Sequence, residues 1–409
     1  MSSTSLDVQR LSPRMFSLAR GESQVLFDRG ALRAWSGAPG EALANARETH
    51  QELAAPYSHS RPRLALYRIV VMEGCDWDCT YCFEKEIAPT PRAMKREVLR
   101  DVLARIIDQN TGESITIHWF GGEPLLAFSL IREGVLILES AVSEGRLKGV
   151  GFTMTTHGGR VTPEIASFVA EHKFAISVSL DGPRERNDLH RRDKAGVGTF
   201  DRAVRGYWRL RAAGAAAGVL FTATEELLPH LSDSIEFALH DLGAREVGLN
   251  TPQPRKGGWG VDGAELARQL FKATQLCEQY GATLTGPSQK ILRALIHRQA
   301  AGSDCVSPDG GLAVSVSPTG TMGYCIVSWN DVLHSSPKIT DQARERAITW
   351  KTKTHATDDC TACVAHTVCG GPCSLEAQLG SLDKQGRCAF HVTFLAETLL
   401  QAANNERSV

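Results

Sequence analysis

No stretch of this chain reaches the roughly 18 consecutive apolar residues of a membrane span. The longest candidate, Ala212 to Ala223, is too short and rich in Ala and Gly. The opening Met1 to Arg10 has no apolar h-region of the kind that secretion signals carry. Neither sign of charge is in excess: 45 Lys and Arg stand against 46 Asp and Glu, a formal net of -1, and no basic run stands out. Nothing therefore suggests tracking of nucleic acid by counterion release. These absences predict a cytoplasmic protein without a membrane or nucleic-acid partner. Cysteine, by contrast, is present eleven times. Without a secretion signal such a number argues for metal or redox chemistry and against a disulfide framework, because cytosolic thiols are kept reduced.

The 409 residues allow one large core and a smaller module. From Leu64 onward short apolar runs alternate with amphipathic stretches, the pattern of a parallel sheet covered by helices. Strands are predicted at Leu64–Met72, Ser114–Phe120, Gly151–Thr156, Phe174–Leu180, Val219–Thr224 and Glu246–Asn250. Helices are predicted at Met94–Asp108, Pro163–His172, Thr199–Ala213, Leu227–Asp241 and Gly263–Tyr280. Six βα units suit an open, partial (β/α)6 TIM-type barrel of class α/β, with ligands at the C-terminal ends of the strands. Residues 1–62 read as an N-terminal extension with a hairpin at Gln24–Phe27 and Leu32–Trp35 and a helix from Gly40 to Leu53. It suits a cover over the barrel's edge, or a hold on a peptide. Residues 63–285 form the predicted barrel and 286–409 a cysteine-rich module ending in a helix.

Cys75, Cys79 and Cys82 place three thiolates within eight residues, directly after the first strand. A 4Fe-4S cluster normally takes one Cys per iron, so a loop of three leaves one iron open to bind and reduce a small molecule. The rival reading is a structural zinc knot, but that wants four close ligands, and no His or fourth Cys stands nearby. The Cys-x3-Cys-x2-Cys spacing, with Tyr81 before the last Cys and Phe83 after it, resembles the motif of radical S-adenosylmethionine (SAM) enzymes. The resemblance implies that the open iron chelates SAM. It also implies that Gly121, Gly122 and Glu123, in the Gly-Gly-Glu-Pro run after the second strand, meet the SAM amino group. Ser179 and Arg191 become partners of the SAM carboxylate, with Arg192 as the other candidate. Thr155, Thr156 and His157 fall near the ribose.

A second cysteine set comprises Cys305, Cys325, Cys360, Cys363, Cys369, Cys373 and Cys388. Zinc is the rival here too, yet seven ligands make one zinc site with three left over. The set closely resembles the SPASM module that extends some radical SAM enzymes. That resemblance implies two auxiliary clusters, one on Cys360, Cys363, Cys369 and Cys388 and a nearer one on Cys305, Cys325 and Cys373. Gly310 and Gly311 occupy the region where eight-cysteine relatives place a further thiol, and Asp309 is a candidate substitute. Cys277 reads as a buried, inert thiol on a helix.

The resemblance implies an oxidoreductase with three 4Fe-4S clusters and SAM that acts on a precursor peptide and draws electrons from a donor such as flavodoxin or ferredoxin. The modification would be an oxidation or a carbon-carbon, ether or thioether crosslink. The alternative is formylglycine formation, which in that branch uses an Asp directly after the equivalent of Cys325, where this chain has Ile326. A zinc-stabilised adaptor is the alternative of another class. Thr251–Gly260 and Ile326–Asp331 are candidate substrate contacts, with Asp331 and His190 as candidate bases.

Overall fold

In the computed structural model the described residues are 5–36, 63–251, 260–302, 305, 311–327, 329, 335–353, 355–378 and 383–405. The expected helix at Gly40–Leu53, most of the Thr251–Gly260 loop, and Asp309, Gly310 and Asp331 lie outside them.

The chain opens with β1 (Asp7–Arg10), β2 (Met15–Arg20), β3 (Ser23–Asp28) and β4 (Arg33–Ser36), an antiparallel sheet in sequence order. The predicted hairpin is the β3–β4 pair, in register Val25 with Ser36 and Phe27 with Ala34. Among the described residues this sheet docks on the C-terminal helix Ala389–Asn404. Arg20 Nη1 lies 2.7 Å from Glu397 Oε1, and the Arg29 guanidinium donates to the carbonyls of Cys363 at 2.6 Å and Thr361 at 2.7 Å. Arg20→Met should cost at most about 1 kcal/mol, as partly exposed ion pairs do, with the loss shrinking at high salt. Thermal unfolding at two ionic strengths measures it.

The main sheet contains β5 (Arg63–Met72), β6 (Ser114–Gly121), β7 (Gly149–Thr156), β8 (Ala175–Ser179), β9 (Ala216–Thr222) and β10 (Glu246–Asn250), all parallel and each beside its sequence neighbour. These are the six expected strands. The sheet continues further than the sequence suggests. β11 (Thr283–Thr285) pairs with β10, and β12 (Gly311–Val316) pairs parallel with the far side of β5, followed by antiparallel β13 (Met322–Gly323) and β14 (Ser335–Ser336). The cysteine-rich region thus shares a sheet with the barrel, and its strand β12 is hydrogen-bonded to the strand that precedes Cys75.

Successive side chains on a strand point to opposite faces. On β5, Tyr67, Ile69 and Val71 are buried towards the covering helices, while Leu66 and Arg68 face the barrel interior. The helix Phe128–Ser143 is absent from the sequence-based assignment although it is one of the longest. Its middle carries Gly134, which weakens a helical pattern. The glycine has a packing cause: a Cβ there would lie 2.4 Å from the ring of Trp119, itself wholly buried on β6.

Candidate active site

The end of β5 leads through Glu73 and Gly74 into the three-cysteine loop, and the loop is fixed from two sides. On one side Gly122 N donates to Met72 O at 2.9 Å and Glu123 N to Gly74 O at 3.1 Å. A Cβ at Gly121, where φ is +142°, would lie 2.0 Å from Met72 O, and one at Gly122 would lie 2.7 Å from Gly74 O. Only glycine lets these backbones meet so closely. On the other side Asp78 N donates to Arg192 O at 2.7 Å and Thr80 N to His190 O at 3.1 Å. The loop is clamped between the ends of β6 and of the segment that follows β8.

A cavity of about 520 Å³ opens beneath it. Cys75, Cys79, Cys82, Tyr81 and Phe83 line the cavity from the loop, Gly121, Gly122, Thr155 and Thr156 from β6 and β7, and Ser179 and Arg191 from further round. Of the residues expected around SAM, Arg192 lies outside the cavity, and Glu123 stands apart as well. It is fully buried, with Oε1 accepting from Leu125 N at 3.0 Å and Thr156 Oγ1 at 2.8 Å, and Oε2 accepting from His157 N at 3.0 Å. Its carboxylate ties the ends of β6 and β7 together instead of entering the cavity.

Arg191 also has a second engagement. Its Nε and Nη2 donate to the two oxygens of Asp181 at 2.8 and 3.1 Å, and Tyr81 Oη donates to Asp181 Oδ2 at 2.6 Å. Burial works against the Arg191 charge, but Asp181, with Tyr81 and Cys79 behind it, outweighs burial and holds the guanidinium above its ordinary range. One edge of the fork is thus committed to Asp181. His190 lies behind the loop, with Nδ1 2.7 Å from Thr80 Oγ1, and is not among the cavity-lining residues. Arg192 turns its Nε to Asp188 O and is likewise outside.

His157 stacks on Trp77 with centroids 3.8 Å apart and lies 2.9 Å from Asp76 Oδ1 through Nε2, while Gly159 N donates to its Nδ1. Because Nδ1 accepts, the proton is assigned to Nε2 and points at Asp76. That hydrogen bond, ahead of the opposing effect of burial, holds the Asp76 carboxyl below the usual range. Burial pushes all three cluster-loop thiols above theirs.

Four residues in or beside this cavity carry no role in the sequence reading. Asp181 organises Arg191 and Tyr81. Glu84, directly after Phe83, is buried with Oε2 unpartnered among the described residues, and burial with Glu73 and Glu123 nearby raises its pKa well above the usual range. Arg68 and His118 stand deeper, on β5 and β6. The signal for Arg68 was a lone charge inside a run otherwise suited to a strand buried on both faces.

In the C-terminal module Cys360, Cys363, Cys369 and Cys388 line one cavity of about 420 Å³, with His366 and Arg387. Burial, then the neighbouring Cys369, Cys363 and Cys360, push the Cys388 thiol up to about 12. Mutual charge effects among these thiols suit a shared ligand. All eleven cysteines are free of disulfides. Cys277 is buried on the helix Gly263–Gln279. Ile326 and Thr251 line the cavity beneath the three-cysteine loop. Trp329 is instead wholly buried against Val70 and Ile87, with Nε1 donating to Glu73 Oε1 at 3.2 Å. The expected substrate contact from Trp329 is therefore replaced by a packing role. Among the described residues no helix is long and apolar enough to cross a membrane.

Residues 69–224 match the sequence pattern of the Radical SAM superfamily. The chain is 30% identical over 149 residues to the cysteine-type anaerobic sulfatase-maturating enzyme of Clostridium perfringens strain 13, an alignment covering 35% of this chain and 40% of that enzyme. It is 24% identical over 346 residues to the serine-type enzyme of Klebsiella aerogenes, covering 80% of this chain and 83% of that one. Among solved structures the fold is similar to native anSMEcpe with bound AdoMet, with TM-score 0.69, 19% identity, and coverage of 84% of this chain and 100% of that one. It is also similar to Streptococcus suis SuiB, with TM-score 0.55, 14% identity and coverage of 94% and 98%. Residues 69–224 thus match a radical SAM domain, a family that implies a 4Fe-4S cluster and SAM, and the alignment spans only 40% of the Clostridium perfringens enzyme's own length.

Proposed function

We propose that this radical SAM enzyme oxidises or joins side chains of a ribosomally made precursor peptide, through a carbon-carbon, ether or thioether bond. The observation that carries the reading is one cavity in which the three-cysteine loop, the inner face of the barrel and Ile326, next to Cys325, all meet. The donor set fits the groups: three thiols on one wall, backbone made approachable by Gly121 and Gly122, and a hydroxyl from Ser179 opposite. When bound, the cluster and SAM supply one electron and a 5'-deoxyadenosyl radical that takes a hydrogen atom from the substrate.

The residues of the chain then bind, orient and enclose. Cys75, Cys79 and Cys82 hold the cluster, Ser179 and the uncommitted edge of Arg191 receive the SAM carboxylate, and Thr155 and Thr156 receive the ribose. Cys360, Cys363, Cys369 and Cys388 would hold a distal cluster and Cys305, Cys325 and Cys373 the nearer one, which would supply a sink for the surplus electron of a net oxidation. Flavodoxin or ferredoxin is the proposed donor. A peptide substrate is supported by the solved complex described as native anSMEcpe with bound AdoMet and Cp18Cys peptide.

Formylglycine formation is the second reading, favoured by the names of the curated relatives. Against it, Ile326 presents an alkyl group to the cavity where that branch places an acid. The experiment is anaerobic reconstitution followed by incubation with SAM, dithionite and short peptides sought among the open reading frames adjacent to the gene. Loss of two hydrogens without capture by a hydrazide supports the crosslink or desaturation. A hydrazide-reactive aldehyde supports formylglycine, and an unchanged peptide with intact SAM cleavage removes both from that peptide. About twelve irons per chain are expected, and Cys388→Ala should lose about four of them while still cleaving SAM. Iron assay and electron paramagnetic resonance report both.

A further inference from the structure

Resting on the peptide reading above, we propose that Arg68 forms a subsite for a substrate carboxylate at the floor of the SAM cavity, supported by His118 and Ser177. The register of β5 and β6 sets Arg68 opposite His118, and that of β6 and β7 sets His118 opposite Thr153. Arg68, His118 and Ser177 line the same cavity as the three cluster cysteines, on strands that enter it from below.

Two arginines line this cavity, and they differ. Arg191 is neutralised by Asp181 through two hydrogen bonds. The Arg68 side chain has no ion pair or hydrogen bond among the described residues, and the acid lining the cavity, Glu84, does not pair with it. A guanidinium half-buried in a cavity wall and without an ion pair is stabilised when a ligand brings a counter-charge to it. The charges that act on it are those of Cys325 and Cys305, the proposed ligands of the nearer cluster.

One unpaired positive charge matches a monoanion. A phosphate would bring surplus negative charge, whereas the planar fork of Arg suits a carboxylate in two parallel hydrogen bonds. His118 keeps its neutral form because burial and the nearby Arg68 lower its pKa to about 3. With Nδ1 2.7 Å from Thr153 Oγ1, the ring is held in place without adding a second charge. The substrate then carries an Asp or Glu side chain, or its own C-terminal carboxylate, within reach of the residue that loses hydrogen.

The test uses reconstituted protein with SAM, under anaerobic conditions, and three probes observed by saturation-transfer NMR. N-acetyl-glutamate α-amide offers only a side-chain carboxylate, N-acetyl-glutamine only an α-carboxylate, and N-acetyl-glutamine amide offers neither. One of the two acids should bind at least about tenfold tighter than the neutral amide, about 1.4 kcal/mol, and the preferred acid identifies the source. Arg68→Met should abolish the preference and Arg68→Lys retain part of it. Equal binding of all three probes by the unaltered protein overturns the proposal. So does a fall in SAM affinity in Arg68→Met, which would place the guanidinium on SAM's own carboxylate. A shifted midpoint potential of an auxiliary cluster with acid preference intact overturns it as well, making Arg68 a counter-charge to Cys305 and Cys325. Acid preference in a protein that cleaves no SAM leaves the subsite standing and removes the maturase reading alone.

Discussion

Changing Cys75, Cys79 and Cys82 together to Ala is expected to reduce reductive SAM cleavage to the level seen without protein. The fall should be at least about 10³-fold, since enzymic accelerations begin near 10⁶ and this cluster is the proposed electron source. The loss would report chemistry and not unfolding. Apart from Trp77 N donating to Cys75 Sγ, the loop's backbone is held without the thiols, by Asp78 N to Arg192 O, Thr80 N to His190 O and Glu123 N to Gly74 O. Circular dichroism and urea midpoints of the apoproteins should therefore stay close, while iron falls by about four atoms. Persistent formation of 5'-deoxyadenosine would remove the radical mechanism. Cluster loading should also depend on pH in a stated direction. All three thiols sit above their ordinary pKa because they are buried, so they are protonated at neutral pH and must release protons to iron. Uptake should strengthen from pH 6.5 to 8.5, read by the cluster's absorbance, and a flat profile would contradict the burial argument.

The six barrel strands were legible because each is a short apolar run bounded by turn residues, and a parallel sheet covered by helices writes that pattern directly. β1 was not, since Asp-Val-Gln-Arg carries a single apolar residue and is mostly exposed. β12 follows a stretch outside the described residues and pairs with a strand some 250 positions earlier, a long-range partnership that no local window contains. Among site residues, spacing alone pointed to the cluster cysteines. Gly121 and Gly122 were legible as places of close backbone approach, but the backbone they approach is that of Met72 and Gly74, inside the protein. Glu123 and Arg191 were read as facing SAM from the family resemblance of their motifs. What sequence could not supply was where their internal partners sit: Thr156 and His157 for the first, Asp181 for the second. Arg68 and His118 were obscured by strand composition, which announces a buried strand without saying that its inner face borders a cavity.

Asp181→Ala is expected to destabilise the apoprotein by about 3–5 kcal/mol, the usual result of removing one partner from a buried ion pair. Asp181 and Arg191 side chains are only 2% and 6% exposed, so solvent screening offers little relief. The carboxylate also accepts from Tyr81 Oη at 2.6 Å and from Thr222 N at 2.9 Å. It joins the cysteine loop, through Tyr81, to the end of β9. Asp181→Asn keeps the shape and some of these hydrogen bonds but loses the charge, and should cost about 1.5–3 kcal/mol. Asp181→Leu combined with Arg191→Met removes both charges and should recover much of the stability, because a buried pair replaced by apolar groups is often neutral. That double variant should still fail to hold SAM, since the proposed carboxylate partner is gone. Stability and SAM affinity thus separate: urea unfolding follows the match of charges, while equilibrium dialysis with SAM follows Arg191 itself. If Asp181→Ala unfolds at the same urea concentration as the unaltered chain, the ion pair is not the clamp that these distances describe. If the double variant binds SAM normally, Ser179 and the cluster alone hold the cosubstrate, and the uncommitted edge of Arg191 has no part in it.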